Sequence, residues 1–149
     1  SFMILCACAL ASDDITVTTM VKPHSTRLDQ ATTREEFTHA GETNLIRVTT
    51  ARDGVVISRL HRFYYHRRLV ADHMVRMLDF SEGSDLTTTA GFSLTFSFGT
   101  NSQILEAYVG DKDGNILDVF TGTNGVLFPM PAEELKKLRK SLATRGNGE

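Results

Sequence analysis

The stretch Ala107-Tyr-Val-Gly-Asp-Lys-Asp-Gly-Asn-Ile-Leu-Asp-Val-Phe-Thr-Gly122, followed by Pro131-Ala-Glu-Glu-Leu-Lys-Lys-Leu-Arg-Lys-Ser-Leu142, lets two strands, a tight turn and a closing helix be read directly. Asp113-Gly114-Asn115 supplies the turn, because Gly and Asn tolerate positive φ and the flanking residues are β-rich. Ile116, Asp118 and Phe120 then share one strand face, and Leu117, Val119 and Thr121 the other. Asp111, Asp113 and Asn115 also resemble the opening of a calcium loop. An EF-hand, however, needs Gly at its sixth position and a bidentate acid at its twelfth, and here those places hold Ile116 and Gly122. The turn is the preferred reading. In the helix, Pro131 suits the first turn, Glu133 and Glu134 favour the positive end of the dipole, and Leu135, Leu138 and Leu142 make an apolar stripe.

Working back from this hairpin, Phe92–Phe98 alternates strictly and Gly99–Ser102 is turn-rich before Ile104–Val109, which predicts a three-strand antiparallel meander ending near Gly122. Further upstream, Ile15–Lys22 reads as a strand stopped by Pro23, and Asn44–Thr50 as a second strand closed by Arg52-Asp53-Gly54. Between them Thr33-Arg-Glu-Glu36 has the form of a capping box, opening a short helix that turns Phe37 inward.

Val55–Met77 is the ambiguous segment. A strand would mix Arg59 and His61 with Ile57 and Phe63 on one face, whereas helical spacing groups Val56, Leu60, Phe63, Tyr64, Val70, Met74 and Leu78, so a helix to about Asp72 is expected. Met74–Phe80 leads into a further strand, Ser81–Asp85 is a break, and Leu86–Ala90 reads as a short helix capped by Ser84 or Asp85. The expected fold class is therefore α/β or α+β, a single mixed sheet with a C-terminal antiparallel meander, flanked by helices. Its core is expected to include Leu45, Ile46, Val48, Leu60, Phe63, Phe96, Phe98, Ile104, Val119, Phe120, Leu135 and Leu138.

The chain has 149 residues, 41% hydrophobic and 23% charged, which predicts one globular domain over 12–143 with a flexible tail at 144–149. A formal net charge of −2 argues against a general affinity for nucleic acid. Residues 1–11 form an apolar segment too short to span a bilayer as a helix. Ala9-Leu10-Ala11 before Ser12-Asp13-Asp14 fits a signal-peptide cleavage site, and Leu5-Cys6-Ala7-Cys8 an imperfect lipidation box. Export to a periplasm or the exterior is the expectation. A processed organelle-import sequence and a buried first strand are the alternatives, and membrane association is expected only through this segment. Both cysteines, Cys6 and Cys8, lie within it, so no disulfide framework, zinc cluster or cysteine nucleophile exists from Ser12 onward.

The order of Thr33-Arg-Glu-Glu-Phe37, the strand Leu45–Thr50, the long helix, Val75–Asp79, Asp85–Phe92 and the terminal hairpin plus helix resembles the thioredoxin-like superfamily over about Thr33 to Leu142. The place of the family's Cys-x-x-Cys holds Ala51-Arg52-Asp53-Gly54, and no proline occurs between Pro23 and Pro129 to serve as its cis-proline. The resemblance therefore implies a redox-inactive member used for binding or structure.

His61, His66 and His73 are close enough in sequence to suggest a metal, but on a helix His61 and His66 point to different sides and His66 and His73 lie roughly 10 Å apart. No metal site and no cofactor is expected. On the same helix Arg59, Arg62, His66, His73 and Arg76 fall on the outward arc, a cationic stripe that suits an acidic protein partner. A solvated face with its arginines paired to acids such as Asp72 and Asp79 is the plainer explanation. No nucleophile with its base and no placed pair of carboxylates can be argued from spacing. The expected function is a non-catalytic binding or assembly subunit that recognises a protein partner. The alternative is a small exported enzyme or ligand-binding domain.

Overall fold

Two-residue turns with positive φ at both positions organise the first half of the chain. In the computed structural model, which describes residues 4–9, 15–24, 26–77 and 83–146, Ala40-Gly41 (φ 51° and 79°), Asp53-Gly54 (50° and 80°) and His66-Arg67 (48° and 67°) each reverse a strand. This type I′ geometry matches the right-handed twist of the strands it joins. The strands β1 (Ile4–Ala9), β2 (Ile15–Pro23), β3 (Gln30–His39), β4 (Glu42–Arg52), β5 (Val55–Tyr65), β6 (Arg68–Arg76) and β7 (Gly83–Thr88) pair in sequence order as a seven-stranded antiparallel meander.

A second sheet is built from β8 (Phe92–Phe98), β9 (Ile104–Asp111), β10 (Ile116–Thr123) and β11 (Val126–Pro129), antiparallel in the order β11-β10-β9-β8, and α1 (Ala132–Gly146) follows it. The chain divides into two compact units, Ser1–Thr89 and Ala90–Glu149.

This architecture overturns the helix-flanked mixed sheet and, with it, the thioredoxin-like resemblance. Every strand pairing is antiparallel, and α1 is the only α-helix among the described residues. The capping-box residues Thr33–Glu36 lie within β3, where cross-strand partners replace the helix backbone: Arg47 meets Glu35, and Thr43 donates to Glu36 at 2.5 Å. The long helix expected over Val55–Asp72 is instead β5, a turn and most of β6, and the short helix at Leu86–Ala90 falls on the end of β7 and the turn after it. The apolar N-terminal run supplies β1, paired from Ile4↔Val21 to Ala9↔Thr16. Residues 10–14 of the cleavage-site reading, 78–82 of the expected break and 147–149 of the tail lie outside the described residues.

In the first unit, residues that pair across strands share a face. One face is apolar at Val17↔Phe37↔Leu45↔Phe63↔Ala71, and all five are buried. In the second unit α1 packs through Leu135, with Leu138 beside it, against Val119, Met130, Tyr108 and Ile116. The Arg139 guanidinium ties the helix to the Leu117 carbonyl. A Cβ at Gly122 would stand 2.1 Å from the Ile104 carbonyl oxygen, so only glycine fits there. Of the expected core, Leu45, Ile46, Phe63, Val119, Phe120 and Leu135 are buried; Val48, Leu60, Phe96, Ile104 and Leu138 are half-buried; Phe98 is 60% exposed.

Candidate functional site

The buried face of the first sheet changes character two residues beyond its apolar row. The next row reads Thr19↔Glu35↔Arg47↔His61↔His73↔Leu86, and the one after it Val21↔Thr33↔Thr49↔Arg59↔Val75↔Ser84. A two-residue period carries both rows onto the same side as Phe37, Leu45 and Phe63. Six adjacent strands, β2 to β7, thus contribute charged or hydrogen-bonding side chains to a face that begins as core.

Arg47 is almost wholly buried and is gripped by Glu35 at both ends, Nε donating to Oε1 at 2.9 Å and Nη2 to Oε2 at 2.8 Å. Its guanidinium also stands 4.9 Å from the Phe37 ring centroid, a cation–π contact. His61 and His73 are buried directly opposite each other. Burial pushes His61 down to about 3, with Arg47, His73 and Arg59 adding to the effect, and burial also lowers His73. Both imidazoles are therefore neutral at pH 7. His73 Nε2 shares a 2.8 Å hydrogen bond with Ser84 Oγ.

Arg59 is placed differently. Burial, then the neighbouring Arg47 charge, lowers its pKa, while Glu35 opposes the change. Its Nε is buried and meets no hydrogen-bond acceptor among the described residues. Two guanidinium cations therefore share one carboxylate, and both oxygens of that carboxylate are turned to Arg47.

The contact between Ser84 and His73 is short enough for a nucleophile and its base. Desolvation makes this imidazole a weaker base than ordinary histidine, the wrong direction for general-base work near neutral pH. On the opposite face a depression of about 340 Å³ is lined by Glu36, Glu42, Thr43, Ile46, Tyr64 and Arg67. Its acids already have partners. Glu36, lowered chiefly by the Thr43 hydrogen bond, also pairs with Arg34, and Glu42 lies 3.1 Å from His66 Nδ1 and 3.9 Å from Arg67 Nε. No group of three or more His, Cys, Asp or Glu among the described residues is placed to hold a metal ion. At the β9–β10 turn the Asp111 carboxylate accepts from the backbone N–H of Asp113 and Asn115 and from the Asn115 side chain, which lowers its pKa and closes the turn.

The five residues of the expected cationic stripe do not share a face. Arg59 and His73 lie on the buried side of β5 and β6. Arg62 points to the opposite side and pairs with Asp72 at 3.2 Å, and Arg76 pairs with Asp85 at 2.8 Å. His66 occupies the β5–β6 turn beside Glu42. Sequence reasoning missed Glu35, Arg47, His61, Thr33, Thr49 and Ser84 as a group. Their signal was a polar residue interrupting the same apolar alternation in consecutive strands, as in Glu35-Glu-Phe37, Leu45-Ile-Arg47, His61-Arg-Phe63 and Ala71-Asp-His73.

Comparison with protein-family models, with curated proteins and with solved structures gives no match.

The buried imidazoles make one solution property predictable. A histidine whose folded pKa lies below its unfolded value of about 6.5 is protonated first in the unfolded chain, so stability falls as pH drops below 6.5 and goes on falling toward the folded value near 3. For His61 alone the slope is about 1.4 kcal/mol per pH unit within that window. Urea denaturation between pH 7 and pH 4 should show it, and His61→Phe should flatten the acid limb; an unchanged limb in that variant would place the titration elsewhere.

Proposed function

We propose that this chain is a non-catalytic binding domain that holds a small ligand on the polar part of the buried face of its first sheet. The observation that carries this reading is the charge arrangement, in which Arg47 takes both oxygens of Glu35 and Arg59 is left partly desolvated with a buried Nε that meets no acceptor among the described residues. A partly desolvated cation with an unmet donor costs stability, and a perturbed charged group of this kind marks a candidate site where a ligand supplies the counterpart. The weakened basicity of His73 beside Ser84 favours binding over catalysis. The division of Arg59, Arg62, His66, His73 and Arg76 between two faces and a turn removes the support that a helical stripe lent to an acidic protein partner.

Thermal unfolding of the full chain against a panel of small metabolites tests the reading. A ligand at a hundred times its Kd adds about 2.7 kcal/mol, a rise of about 5–10 °C for a chain of this size. Thr49→Trp, which fills the polar face, should abolish the rise, and Thr50→Trp, its neighbour on the opposite face, should keep it. Equal shifts in the two variants would move the site off this face.

A further inference from the structure

Rows three and four of the buried face differ in a way that defines a ligand. In row three Thr33, Thr49 and Arg59 stand side by side on β3, β4 and β5, and neighbouring strands are about 4.8 Å apart. Two hydroxyls and a guanidinium are thus lined up as donors across roughly 10 Å. Row four, two residues further along, is Pro23↔Ala31↔Ala51↔Val56, with no charged side chain. Ala31, Ala51 and Val56 are only partly buried, so this row remains accessible, whereas Leu45 and Phe63 in row one are closed off.

We propose that Arg59, flanked by Thr49 and Thr33, anchors the carboxylate of a small monocarboxylic acid whose apolar chain lies along Ala31, Ala51 and Val56. This rests on the reading of the polar face as the binding surface. The planar fork of a guanidinium matches a carboxylate with two parallel hydrogen bonds, and Arg59 is only half-buried, with an Nε that meets no acceptor among the described residues. Among the described residues the carboxylate that acts on Arg59, Glu35, has both oxygens turned to Arg47, so an incoming anion does not have to displace that pair. Charge decides between anions. Among the described residues, rows two and three together hold one cation more than Glu35 balances, because His61 and His73 are neutral, and a monoanion neutralises it. A phosphate dianion would bring an excess negative charge into a partly desolvated row. The apolar row beside the donors favours an acid with a hydrocarbon chain over acetate.

Isothermal titration calorimetry on the full chain with sodium octanoate, octanamide, sodium acetate and inorganic phosphate tests this. Octanoate should bind at least tenfold more tightly than octanamide, acetate or phosphate. Arg59→Gln should weaken octanoate at least tenfold, Arg59→Lys should weaken it less, and Arg62→Gln on the opposite face should leave it unchanged; circular dichroism and Tm establish that each variant is folded. Equal affinity for octanoate and octanamide, or undiminished binding by Arg59→Gln, overturns the carboxylate assignment while leaving a ligand site that Thr49→Trp still blocks. Phosphate binding as tight as octanoate, or no octanoate binding at millimolar concentration, overturns it as well. Failure of every small molecule to respond to Thr49→Trp removes the binding-domain reading itself.

Discussion

Phe63→Ala is expected to destabilise the chain by about 3–5 kcal/mol, the usual cost of removing a phenylalanine ring from a closed core. Phe63 has no exposed surface and stands in one row with Leu45 and Ala71, so little can collapse into the space left behind. Chemical denaturation measures the loss. Phe98→Ala is the matched comparison, because that ring is 60% exposed, and it should cost under about 1 kcal/mol. A loss below about 1 kcal/mol at Phe63 would show that the apolar row is not the core of the first unit.

The second large effect is electrostatic. Glu35→Ala leaves the buried Arg47 guanidinium without its bidentate partner, and breaking a buried pair from one side costs about 3 kcal/mol or more. Glu36→Ala, one residue along on the opposite face, breaks a pair with Arg34 that is substantially exposed and should cost about 0–1 kcal/mol through that pair. The double variant Glu35→Leu/Arg47→Met removes both charges together and should recover most of the loss. If the double variant is as unstable as Glu35→Ala, burial of an unpaired charge is not the cause.

What the sequence showed depended on whether the turn between strands announced itself. Asp113-Gly114-Asn115 carries glycine and the hairpin there is readable; Asp53-Gly54 carries the same signal but reads only as the end of a strand, with a helix expected after it. His66-Arg67 adopts the same positive-φ geometry without glycine or asparagine, an uncommon choice for non-glycine residues. With no visible turn there, Val55–Met77 ran on as one segment, and its mixed faces were resolved as a helix. The objection raised against a strand, that Arg59 and His61 would share a face with Phe63, describes the observed arrangement. Alternation rules assume that a buried face is apolar, so a sheet that buries an ion pair and two neutral histidines defeats them. The candidate site was illegible for the same reason: Arg59 and His73 were singled out, but the helix placed them beside Arg62 and Arg76 and hid Glu35, Arg47 and Thr49, which only cross-strand register brings together.

Among the described residues each strand of the first sheet pairs only with the strands made just before and just after it. No pairing waits for a distant part of the chain, so the loop-closure entropy is met in small local steps instead of one large one. During synthesis each strand from β2 to β7 finds a partner already present. The sheet can therefore assemble in the order in which it is translated, with Arg47 arriving on β4 when Glu35 is already in place on β3 to receive it.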